Sequence, residues 1–179
     1  MNKDKAFKET LGEFIIKFSQ LEFGLAYLCS FTDFDLRKQK LALIKQMSNS
    51  FENKRKTLSI FIDENFQELK KEWEDINQKI GIINRERRFL AHGFFEYYFP
   101  NEEVSTMIIE SKKITEKKHT SITIKDLISQ VDDIDFELNI QFRSKFIKEV
   151  VDNWNNIVLD DNKIVYKVNN KVMSEWKGV

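Results

Sequence analysis

The chain holds two histidines, His92 and His119, and the first closes a run dense in charge: Asn84-Arg85-Glu86-Arg87-Arg88-Phe89-Leu90-Ala91-His92-Gly93. An imidazole, with an ordinary pKa of about 6.5, exchanges protons at neutral pH. A guanidinium stays charged and presents a rigid fork of donors that suits an oxyanion. Side by side, the two groups are equipped for proton transfer next to a developing negative charge, with no metal required.

Such a pair must be held by something rigid. Upstream, Leu69, Trp73, Ile76, Ile80 and Ile83 recur in steps of four and three, the spacing of a helix with one buried stripe. The next two stripe positions are Arg87 and Leu90. A charge directed inward is costly unless it is paired or used. Two readings stay open. In the structural one, Arg87 snorkels off the stripe or pairs with an acid such as Glu22, and His92 merely finishes the last helical turn, where a cation is favoured. In the functional one, arginine, histidine and a helix end at Gly93 converge on one point. Five residues at about 100° each put Arg87 and His92 roughly 140° apart on an unbroken helix. Arg88, four residues before His92, shares its face.

Arg87-Arg88-Phe89-Leu90-Ala91-His92, followed by Gly93, resembles the Arg-x-x-x-x-His motif that ends a helix in ribonuclease members of the HEPN superfamily. One departure is Arg88, where that family usually has a polar residue, often Asn. The resemblance covers about ten residues in motif and residues 5–155 in layout. It implies an antiparallel bundle of four to five helices, assembled as a homodimer with two motifs facing one cleft. It also implies metal-independent cleavage of RNA, whose 2′-hydroxyl is the nucleophile. His92 would be general acid or base and Arg87 would stabilise phosphate charge. Arg88, Arg85, Tyr97, Lys112 and Lys113 are candidate RNA contacts, and Tyr98 or Phe94 could also stack a base. Bacterial toxin–antitoxin or antiphage defence is the implied setting, with an antitoxin or defence protein as a further partner. The competing expectation is a non-catalytic homodimer of the same fold that binds RNA, a nucleotide or a protein. The departure at Arg88 favours it.

Composition bounds these readings. The 179 residues are 41% hydrophobic and 13% aromatic, with 16 Phe but only 5 Gly and 1 Pro. Scarce breakers and abundant apolar residues predict a mainly α domain spanning 1–179. Lysines plus arginines balance acids at 29 each, so any nucleic-acid contact needs a local basic patch. The lone Cys29 cannot form an internal disulfide, the opening residues lead into an amphipathic helix, and no apolar run approaches the roughly 18 residues of a membrane span. A cytoplasmic protein without a membrane partner is expected. No Gly-rich phosphate loop, no nucleophile elbow and no zinc-type ligand set is present, so neither cofactor nor metal is expected.

Along the chain, Phe7, Leu11, Phe14, Phe18, Leu21, Leu25 and Leu28 predict a first helix over 5–31, widened by Ile15, Phe23 and Tyr27. A second helix is expected to turn Leu36, Leu43, Ile44 and Met47 inward, and a third, 51–62, to bury Leu58, Phe61 and Ile62. Lys54-Arg55-Lys56 reads as a solvated face or as an RNA-facing one. The fourth helix should run from about Phe66 to His92. Residues 94–124 then read as a small β-hairpin insertion of two or three strands. Its lysines, with His119, form either a solvated, mobile tip or a basic finger. His119 is expected to matter little. A capping box of Thr123 and Asp126 opens the last helix, carried by Leu127, Val131, Ile134, Leu138, Phe142, Phe146, Val150 and Trp154. The arm, 158–179, is a short hairpin or irregular.

Overall fold

The structure is a computed structural model and describes residues 3–33, 39–98, 103–110, 113–154, 157–160, 163–168 and 171–177. The protein is mainly helical. Helix α1 (Lys3–Cys29) leads through a 3-10 turn (Ser30–Asp33) to α2 (Gln39–Ser48) and α3 (Phe51–Asn65). A second 3-10 turn (Gln67–Leu69) opens α4 (Lys70–His92). Strands β1 (Phe94–Tyr98), β2 (Glu103–Glu110) and β3 (Lys113–His119) follow. Then come α5 (Ser121–Phe136), a π-helical turn (Glu137–Phe142) and α6 (Arg143–Trp154). Strands β4 (Ile157–Asp160), β5 (Lys163–Val168) and β6 (Lys171–Lys177) end the described chain.

Contacts gather the chain into two units, Met1–Gly24 with Ile76–Glu137 and Leu25–Asp75 with Leu138–Val179. The division falls inside α1 and α4 and at the π turn, so each unit is assembled from pieces remote in sequence.

In the first unit the buried rows are Phe7, Phe14, Phe18 and Leu21 of α1, Ile76, Ile80, Ile83 and Leu90 of α4, and Ile124, Ile128, Val131 and Ile134 of α5. Each row keeps helical spacing, so each helix presents one apolar stripe and leaves its charges at the rim. Lys17 meets Asp132 at 2.7 Å and Lys79 meets Glu137 at 2.6 Å. Strands β1, β2 and β3 form an antiparallel meander with β2 in the centre. Thr120 caps α5, accepting from the Thr123 backbone while the Thr123 hydroxyl accepts from the Thr120 N–H.

The second unit explains the abundance of phenylalanine. The Phe146 ring meets Phe31, Phe61, Phe66 and Phe142 with centroids 6.0–6.4 Å apart, mostly edge to face. Edge-to-face contacts set the positive rim of one ring against the negative face of another. Trp73 joins Phe142 and donates its indole N–H to Ser59 at 2.8 Å. Cys29 is buried here; burial pushes its thiol up to about 12, so it is inert. Strands β4, β5 and β6 make a second antiparallel meander, with buried Val165 on β5, the strand that lies against α6.

Several expectations are corrected. In α2, Ala42 and Gln46 are buried, whereas Ile44 and Met47 are each 57% exposed and Leu43 is half-buried. The helix has apolar residues on more than one side, and packing chose the smaller pair; Leu36 lies outside the described residues. Lys54 is only 1% exposed, so the Lys54-Arg55-Lys56 run is not solvated throughout; Lys56 is exposed, and Arg55 pairs with Glu52 at 2.9 Å. The cap of the last helix is Thr120 with Thr123 and not Thr123 with Asp126, because α5 starts at Ser121. That helix is also interrupted. Buried Ile134, Leu138, Phe142, Phe146 and Val150 are spaced by four throughout, which drifts around a helix of 3.6 residues per turn. The wider π turn takes up the drift. The Trp154 side chain lies outside the described residues. The arm is a three-stranded meander and not a single hairpin. Finally, α1 is long and apolar enough to cross a membrane by length and composition, despite its interspersed polar residues, though more than half of its apolar window is buried inside the protein.

Candidate functional site

The charged run occupies the last two turns of α4, in the first unit. The helix closes where the Gly93 N–H donates to the Phe89 carbonyl at 2.9 Å. A Cβ on Gly93 would stand 2.4 Å from that carbonyl oxygen and 3.4 Å from the Met107 carbonyl of β2. No side chain fits between helix end and strand, which is why glycine follows His92.

Arg85, Arg88 and His92 are all exposed. At spacings of three and four they fall within an arc of about 60° and form one basic stripe on α4. Arg87 lies elsewhere. It continues the buried row as its spacing predicts, but only half-buried, with its guanidinium carbon 5.2 Å above the centre of the Phe18 ring. A flat cation over an aromatic face is favourable and offsets part of the cost of an inward charge. Thus one chain brings His92 together with Arg88 and Arg85, and directs Arg87 to α1.

Between these arginines, Glu86 is mostly buried and pairs with Lys117 of β3, tying the meander to α4. The next inward residue on β3 is His119, which is 2% exposed, with Nε2 lacking a hydrogen-bond partner. It is therefore no part of a solvated tip. Loss of water lowers its pKa from the ordinary value; nearby Glu86 opposes that shift and Lys117 adds to it. Residues 113–119 form a strand, and Lys118 pairs with Glu103 at 3.0 Å. Lys113 is exposed at the far end of β3, and Lys112 lies outside the described residues.

On β1 the register is decisive. Phe94 pairs with Met107 and Glu96 with Ser105; Phe95 pairs with Thr106 and Tyr97 with Val104. Alternate residues point to opposite faces. Phe95 meets Phe7 of α1 edge-on at 6.4 Å, while Phe94 is 67% exposed on the other side. The Tyr97 and Tyr98 side chains lie outside the described residues. Among the described residues no three His, Cys, Asp or Glu side chains gather as a metal site would need.

Comparison with known proteins found no match to the chain among family models, curated proteins or solved structures.

Proposed function

We propose that this protein is a metal-independent endoribonuclease of HEPN type, acting as a homodimer in bacterial toxin–antitoxin or antiphage defence in the cytoplasm, with RNA as its partner. The exposed stripe of Arg85, Arg88 and His92 at the end of α4 carries the reading. His92 exchanges the proton of the 2′-hydroxyl or the leaving oxygen. Arg88, on the same face, holds the phosphate as its charge builds. Arg87, resting on Phe18, braces the helix end, and contributes its charge to RNA from a second copy if the two motifs share a cleft.

A second reading is a binding module of the same fold that has no cleavage activity. The engagement of Arg87 with Phe18 favours it, because the motif arginine is then structural.

The test is incubation of the purified protein with unstructured RNA in the presence of a chelator, alongside growth of cells on induced expression. Cleavage leaving cyclic phosphate ends, lost by about 10² to 10⁴-fold in His92→Ala with unchanged melting, supports the enzyme. Intact RNA and normal growth leave the binding module.

A further inference from the structure

We propose that Phe94 is the stacking platform for one unpaired base, which makes single-stranded and not duplex RNA the substrate class; this rests on the RNA reading above. Phe94 stands two residues after His92, so their Cα atoms are at most about 7 Å apart. Its ring is 67% exposed on the outward side of β1, an unusual position for a phenylalanine when Phe95 beside it is turned to α1. Gly93 leaves no side chain between the basic stripe and the ring.

Arg85, Arg88 and His92 give phosphates a path along α4. Phe94 stands where that path meets the sheet edge; beyond it the outward face of the meander carries exposed charges of both signs, Glu96 on β1 with Glu116 and Lys118 on β3. A base inside a duplex already has both faces covered by its neighbours and has no free face for the ring.

The experiment measures affinity for a ten-nucleotide unstructured RNA carrying 2-aminopurine, free and annealed to its complement. Wild type should bind the single strand more tightly than the duplex and change the probe's fluorescence on binding. Phe94→Ala should weaken single-strand binding by about 5- to 100-fold, the effect of losing one base–aromatic stack, while Phe94→Tyr keeps it. Because the ring is exposed, Phe94→Ala should melt as wild type does. Equal affinity of wild type and Phe94→Ala, or equal affinity for strand and duplex, overturns the platform while the RNA reading stands. A wild-type protein that binds neither RNA overturns both.

Discussion

The Arg87 guanidinium lies 5.2 Å above the Phe18 ring, joining α4 to α1 on a side of α4 about 140° from His92. Arg87 and Arg88 thereby lie on different sides of α4. Arg87→Ala removes the cover from a buried ring and should cost about 1 kcal/mol, with a coupling to Phe18→Leu of at least about 0.5 kcal/mol in a double-mutant cycle read from urea midpoints. Arg88→Ala should leave the midpoint within about 0.5 kcal/mol and reduce RNA cleavage instead. Additive Arg87 and Phe18 effects would show that the contact contributes nothing.

His119 sets a pH dependence. Its folded pKa is lowered by burial, below the ordinary value of about 6.5. Above that ordinary value the residue is neutral in both states and its contribution is complete. As pH falls below it, the unfolded chain takes up the proton first, so stability is lost until the folded pKa is reached. Denaturant midpoints of wild type should fall more steeply between pH 7 and 5 than those of His119→Gln. Parallel slopes would contradict the assignment. Glu86 and Lys117 are the charged groups that act on the ring.

Gly93→Ala should destabilise the protein by about 1–3 kcal/mol, the range of substitutions that force backbone to move. The added methyl would meet the Phe89 carbonyl at 2.4 Å, and the second contact, Met107, is backbone too, so neither neighbour can swing aside. A melting temperature within a degree of wild type would mean that the helix end relaxes freely.

Long-period features were legible before any coordinates. The stripes of α1 and α4 repeat over more than five turns, so one or two misplaced residues do not change which face is apolar. The end of α4 at His92 and the stripe from Leu69 to Leu90 follow from that repetition, whereas its start, expected near Phe66, lies at Lys70 behind a 3-10 turn. The first two strands after Gly93 were legible as well, from aromatic and β-branched runs separated by polar turns, but the third, Lys113–His119, was not, because its run of lysines resembles a solvated tip.

Short elements were not legible in the same way. Ten-residue α2 has apolar residues on several sides, and period alone cannot choose between them. Lys54 and His119 read as surface residues because charge and polarity near a turn usually mean water, yet both are buried by neighbours far away in sequence. The sequence by itself determined the helical periods, the end of α4 at Gly93 and the common face of Arg88 and His92, because these depend only on rotation per residue. Tertiary structure alone decided that Arg87 rests on Phe18, that Lys117 pairs with Glu86 and that Phe94 faces outward. Such contacts join residues up to seventy positions apart, and no local spacing encodes which of several apolar or charged sides will find a partner.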